Sequence, residues 1–217
     1  MRLIFIIGFL WACATTQAQT LLPPVWQSDT QKEVQVSTRT IAYLPPTRIV
    51  WQETTGESSI QGLENLLLPG NGQADLFDGQ ITRIKNGATG KASFLLDFGR
   101  ELQGGIQVVT GRSSKKEMKI RVRFGESVSE AMCDITPENG ATNDHAIRDF
   151  YLTLPWLGVA EIGNSGFRFV RIDLEEPDAE LSLKEIRATF GYRNIPYLGS
   201  FKCDNERLND IWMTGAY

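Results

Sequence analysis

Between Met118 and Phe124 the chain reads "MKIRVRF", and apolar and basic positions alternate without a break. Met118, Ile120, Val122 and Phe124 fall on one side, Lys119, Arg121 and Arg123 on the other. A period of two predicts a β-strand with one buried and one wet face. "KASFLLDF", "GIQVVT", "DFYLTL", "GFRFVRIDL" and "LSLKEIRATF" read as further strands. The stretches between them, "NGATG", "GRSSKK", "GNSG" and "EEPDAE", are rich in turn formers. Short strands at this spacing predict an all-β fold, an antiparallel β-sandwich of the concanavalin-like or jelly-roll type. Upstream, "TLLPPVWQSD" and "AYLPPTRIVW" each carry a Pro pair. Proline has no N–H for a central ladder, so these segments are edges, turns or extended linkers. "PGNGQADLFDG" has the composition of a loop.

The two ends depart from this pattern. Leu3 to Ala12 form an apolar run behind Arg2, followed by Thr16-Gln17-Ala18. This is the layout of a signal peptide over residues 1–18, cleaved after Ala18, and the run is too short for a membrane span. It predicts export to a periplasmic or extracellular space. An alternative reads "LWAC" as a lipid-attachment box with Cys13 as the lipidated residue, on an outer surface, although Trp11 fits such a box poorly. At the other end, "YRNIPYLG" leaves the last strand as a linker, and "CDNERLNDIWMTGAY" turns helical. Asp204 or Asn205 can cap that helix, and Leu208, Ile211 and Trp212 recur at helical spacing. The organisation predicted is a leader, a sandwich over residues 19–193, and a linker with one helix over 194–217.

The 217 residues are 41% hydrophobic and 22% charged, which suits a globular chain able to bury a core. A net charge of −4 and the absence of a basic patch with aromatics argue against nucleic acid as a partner. In an oxidising compartment Cys133 and Cys203 could pair, or remain two separate thiols; their spacing carries no motif.

Candidate chemistry is sparse. His145 is the one histidine, with no Cys or His partner at a metal-ligand spacing and no nucleophile elbow to serve. No metal site is predicted and no cofactor is implied. Calcium is the one cation that the oxygen donors of "CDITPENGATNDHAIRD" would suit, but the order of an EF-hand loop is missing. "GATGKAS" lacks the glycine spacing of a phosphate loop and reads as a turn. Glu101, Glu126, Glu130, Asp149 and Glu161 are carboxylates that sequence alone does not bring into a pair, so no catalytic residue is assigned. Trp156 follows Pro155 at a strand end and is the candidate substrate-binding residue, able to stack on a sugar; core or interface packing is its competing role.

Taken in order, "LLDFGRELQGGIQVV", "RVRFGES", "IRDFYLTL", "GFRFVRIDL" and "LGSFKCDNERLNDIWMTGAY" resemble the α-L-rhamnosidases of glycoside hydrolase family seventy-eight. The resemblance rests on Asp97 to Arg100 with Gly104 and Gly105, on Gly166 to Val170, and on Gly199 to Asp204 with Leu208 to Trp212. It covers the chain from about Phe94 to Tyr217. It implies a non-catalytic sandwich in front of an α/α six-hairpin barrel whose first helix is the terminal amphipathic segment. The resemblance also implies a parent enzyme that removes terminal rhamnosyl residues from a glycan with inversion, one carboxylic acid protonating the leaving oxygen and one carboxylate activating water. Those groups would lie beyond Tyr217. The intramolecular partner would be the barrel, and the ligand a rhamnose-containing glycan. A carbohydrate-binding module without hydrolase activity is the alternative. Gly99 and Gly166 are expected at turns or close approaches, and Arg100 and Arg168 beside a carboxylate or an apolar surface.

Overall fold

A computed structural model describes residues 39–74, 76, 79–134 and 148–217. The proposed leader, Cys13, Trp26, His145 and most of the oxygen-rich stretch lie outside the described residues.

Among the described residues, nine antiparallel strands form the body. They are β1 (Arg39–Leu44), β2 (Arg48–Thr54), β3 (Ser59–Gln61), β4 (Thr82–Asn86), β5 (Ala92–Thr110), β6 (Glu117–Gly125), β7 (Arg148–Pro155), β8 (Gly158–Leu174) and β9 (Ala179–Arg193). A 3₁₀ turn occupies Leu63–Leu67; two helices, α1 (Val128–Met132) and α2 (Glu206–Ala216), complete the described elements. The main ladder runs β3-β4-β9-β5-β8-β6-β7, with β1 on β9 and β2 on β5. The first part of β5 pairs with β2 and its second part with β9, while β8 follows it throughout. The two long strands therefore pass through both layers of the sandwich. Pro45 and Pro46 stand between β1 and β2, at strand ends, where a missing N–H breaks no ladder.

The core follows the alternation. Met118, Ile120, Val122 and Phe124 are fully buried, and Phe94, Leu96, Val170, Ile172, Leu181 and Leu183 meet them from neighbouring strands. Phe167 packs edge-on against Phe98 and Phe124, with ring centroids 5.6 and 5.1 Å away. That geometry sets the positive edge of one ring on the negative face of another.

Four sequence readings change. "KASFLLDF" and "GIQVVT" are one strand, β5, interrupted by a bulge. "GNSG", read as a turn, lies inside β8; Gly163 has φ 92° and supplies a second bulge there, so the ladder continues past the turn-forming residues. The all-β reading leaves out a short helix, α1. Ser127 and Glu130 close a capping box at the start of α1 (Ser127 Oγ accepts from the Glu130 N–H at 3.3 Å), a signal present in the sequence as S-x-x-E. Finally, the basic face of β6 is wet at one end only. Lys119 is exposed, but Arg123 is 2% exposed and bonds Asp173 and Asp134, both at 2.8 Å. α1 and the turn after it, ending at Cys133 and Asp134, cover that end of the strand. Cys133 and Cys203 do not form a disulfide with each other.

Candidate functional site

The site grows out of the bulge in β5. Asp97 stands opposite Phe169 and Leu102 opposite Phe167, so Phe98, Gly99, Arg100 and Glu101 face a single β8 residue, Arg168. Local chemistry explains the detour. Gly99 has φ 86°, a left-handed conformation that a side chain disfavours, and its N–H donates to the Asp97 Oδ1 at 2.7 Å. Asp97 is 2% exposed and also accepts from Arg168 Nε and Nη2 at 2.8 and 3.0 Å and from Arg48 Nη2 at 2.9 Å. Burial by itself pushes the carboxyl up, toward its neutral form. The donors from Arg168, Gly99 and Arg48 outweigh this and hold the carboxyl below its ordinary value.

The bulge pushes Arg100 and Glu101 toward the C-terminal segment. Arg100 lies over the Tyr217 ring at 5.6 Å, and the Tyr217 hydroxyl donates to the Glu101 carbonyl at 2.7 Å. Tyr217 in turn stacks on Phe190 (6.2 Å), and Phe190 on Tyr192 (5.2 Å). The hydroxyl of Tyr197 donates to the Ala216 carbonyl at 3.2 Å, tying the linker to the end of α2. Two cavities flank this aromatic row. One, of about 580 Å³, reaches Glu101, Gln103, Gly166, Asn194 and Tyr197; the other, of about 350 Å³, reaches Ala42, Leu44 and Arg100. Both share Leu102, Phe190, Tyr192 and Tyr217. Their size is that of small-ligand sites, which run to about 300–1,000 Å³.

Gly166 lies between two carboxylates. A Cβ built on it would sit 2.9 Å from the Glu101 Oε1 and 3.6 Å from the Glu126 Oε1. Partial burial, then the Glu126 and Glu130 charges, push the Glu101 carboxyl up, against the pull of Arg168. The other carboxylates are engaged elsewhere. Glu130 serves the α1 cap, Asp149 pairs with Arg121, and Glu161 accepts from Gln107 Nε2 at 2.6 Å. Sequence reasoning named Glu101 and Glu126 among five carboxylates and had no signal for their approach, which depends on strand register. The row Phe190, Tyr192, Tyr217 was missed entirely, although "TFGYR" does show two aromatics on one strand face.

Trp156 occupies the opposite end of the sandwich. It is 41% exposed in the turn between β7 and β8, its N–H donating to the Lys116 carbonyl at 2.9 Å. Thr110 faces Gly158 while Gln103 faces Gly166, so the Trp156 turn lies most of a strand length away from the cleft, about 20 Å at about 3.3 Å per residue. Trp156 lines neither cavity. Among the described residues no group of three or more His, Cys, Asp or Glu is placed to hold a metal ion. Also among them, no helix is long and apolar enough to cross a membrane.

α2 begins as its sequence predicts. Asn205 is the cap, its side chain accepting from the Arg207 N–H at 3.1 Å. Its apolar residues find little to pack against. Leu208 is 48% exposed and Ile211 58%.

The fold and the cleft define an antiparallel β-sandwich with a ligand-sized aromatic recess at one end and a half-docked amphipathic helix beside it. The chain is similar to a rhamnosidase from Klebsiella oxytoca, solved with rhamnose bound, at a TM-score of 0.52 and 13% identity over 80% of this chain and 33% of that one. It thus spans about a third of that enzyme's length. Looser likenesses are to a family seventy-eight rhamnosidase of Bacillus sp. GL1 (TM-score 0.45, 21% identity, 70% of this chain and 14% of that one). A fucose-binding module of Streptococcus pneumoniae gives 0.42 and 13%, over 68% and 91%. No protein-family model and no curated protein matches the sequence.

Proposed function

We propose that this chain is the non-catalytic N-terminal sandwich of an exported, α-L-rhamnosidase-like glycoside hydrolase, and that it serves as the shoulder against which a helical catalytic domain packs. The observation that carries this reading is α2. A completed sandwich core stands beside a capped helix whose Leu208 and Ile211 remain about half exposed. Burying each such side chain contributes about 1.5–3 kcal/mol, so a covering surface has much to gain. A single helix is marginal alone, which makes further helices the natural cover. The fold likeness to a rhamnosidase of three times the matched length and the order of the sequence motifs support the same reading. Acid and base for an inverting hydrolysis of a terminal rhamnosyl bond then belong to that helical domain. Export rests on the leader pattern of residues 1–18.

Hydrolysis of an aryl α-L-rhamnoside by the purified chain is the test. The expected result is no turnover above buffer. Turnover abolished by Glu101→Gln or Glu126→Gln would place the reaction in the sandwich and overturn the proposal.

A further inference from the structure

The basic turn between β5 and β6, "GRSSKK", has no part in the scaffold role. It is tied down on two flanks. The Gly111 N–H donates to the Ser182 carbonyl and the Ser114 N–H to the Glu180 carbonyl, both at 2.9 Å. In return the Ser182 and Glu180 N–H groups donate to Ser113 Oγ and Ser114 Oγ, at 3.2 and 2.8 Å. On the other flank the Ser113 N–H donates to the Trp156 carbonyl at 2.9 Å. Beside this turn opens a cavity of about 380 Å³, lined by Arg83 of β4, by Arg112, Ser113 and Ser114 of the turn, and by Glu180 and Ser182 of β9. It shares no residue with the aromatic recess.

Hydrogen-bond donors are in excess here. Arg83 and Glu180 form an ion pair at 3.7 Å, so those two charges balance. Arg112 is exposed and has neither counter-charge nor hydrogen-bond partner among the described residues. The Ser113 hydroxyl donates to the Gly111 carbonyl at 3.4 Å. Ser114 Oγ accepts from Glu180 while its own proton finds no acceptor, and Ser182 Oγ makes no hydrogen bond among the described residues. Lys115 is taken by Glu176 and the Pro177 carbonyl, at 2.9 and 2.7 Å, and Lys116 is exposed without lining the cavity. One surplus guanidinium and two unmatched hydroxyl protons suit a ligand that brings negative charge and acceptors only. Because the lining comes from three segments, a tetrahedral group with oxygens on all sides fits it better than a planar carboxylate. The net charge of −4 gives the chain no general attraction for anions, so any preference is local.

We propose that this cavity binds a tetrahedral oxyanion, phosphate or sulfate, as the free ion or as the end group of a monoester. Arg112 is its charged anchor, and the Ser114 and Ser182 hydroxyls are its donors. Nothing in the scaffold role requires such a site, so it stands apart from that reading.

Calorimetric titration of the whole chain at constant ionic strength tests it, with inorganic phosphate, inorganic sulfate, phenyl phosphate and acetate as probes. Phosphate or sulfate binds saturably in the millimolar range, and acetate binds at least about tenfold more weakly. Arg112→Gln weakens the oxyanion about tenfold, and since Arg112 is exposed the variant folds. Lys116→Gln removes the same charge from the same turn, outside the cavity, and leaves binding unchanged. Phenyl phosphate binding as tightly as inorganic phosphate assigns the site to an ester, and its exclusion assigns it to the free ion; both uphold an oxyanion site. Absence of saturable binding by both phosphate and sulfate overturns the proposal. So does equal weakening by Arg112→Gln and Lys116→Gln, which is the mark of diffuse surface charge, or acetate binding as tightly as phosphate. The hydrolysis assay reads none of these quantities, so failure of the scaffold reading and failure of this site are told apart.

Discussion

Asp97 and Arg168 stand 71 residues apart in sequence and meet at the β5–β8 bulge, joined by two parallel N–H···O bonds of 2.8 and 3.0 Å. The pair binds the "DFGR" bulge to the "GFRFV" strand. Each motif supplies half of one interaction, so Asp97, Gly99 and Arg168 have structural reasons to be the residues they are. Asp97→Ala removes a buried acceptor used by two arginines and one backbone N–H. Charged hydrogen bonds contribute about 1.5–3 kcal/mol each, and the arginines regain water. The expected loss is about 2–3 kcal/mol in urea unfolding, with the bulge rather than the core loosened.

Acid should expose the same pair. The Asp97 and Asp173 carboxyls are both held below their ordinary 3.8 in the folded state. In each, burial pulls upward and is outweighed by hydrogen bonds, from Arg168, Gly99 and Arg48 to Asp97 and from Ser93 and Arg123 to Asp173. The unfolded chain therefore takes up protons first as pH falls below about 4. Their contribution is full above that range and is lost as pH drops through the folded values. Glu101 works in the opposite sense. Its carboxyl is raised above 4.5, so ionising it as pH rises past that value opposes folding. Asp97→Asn shortens the acid limb of a fluorescence-monitored stability profile, while Glu101→Gln leaves that limb and raises stability at neutral pH.

Core and helix should answer mutation very differently. Phe167 is fully buried between Phe98 and Phe124, and Phe167→Ala leaves a cavity worth about 3–5 kcal/mol. Ile211→Asp alters an exposed position of α2 and shifts sandwich stability by no more than about 0.5 kcal/mol in the same denaturation experiment. Equal losses from the two would mean that α2 is part of the sandwich core.

Gly163 gives a sharper local test. At φ 92° its Cβ would sit 2.7 Å from the Phe124 ring, which is itself fully buried. Gly163→Ala is expected to cost about 1–3 kcal/mol, from strained backbone and overpacking together. Gly199, with open space around it, should accept alanine with almost no change in melting temperature.

The strands, the strand-end position of Pro45 and Pro46 and the capped terminal helix were legible because each depends on local spacing. Period two in "MKIRVRF" and helical spacing of Leu208, Ile211 and Trp212 need no knowledge of neighbours. The bulges defeated the same reading. "GNSG" has turn composition, yet Gly163 bends a strand without ending it, since the ladder on either side is worth more than the break. Arg123 looked wet because alternation assigns a face and is silent on what covers that face. The covering piece, α1 with Asp134, comes from residues up to eleven positions further on.

The amino-acid order by itself determined a two-layered antiparallel sandwich, a helix beginning after Asn205, and the motifs that resemble a rhamnosidase. Only tertiary structure decided that Asp97 meets Arg168, that Glu101 and Glu126 converge on Gly166, and that Phe190, Tyr192 and Tyr217 form one row beside a recess. Alternation and capping are written into neighbouring residues, whereas strand register depends on bulges and on contacts closed across many tens of residues, and that register is what brings distant side chains to one place.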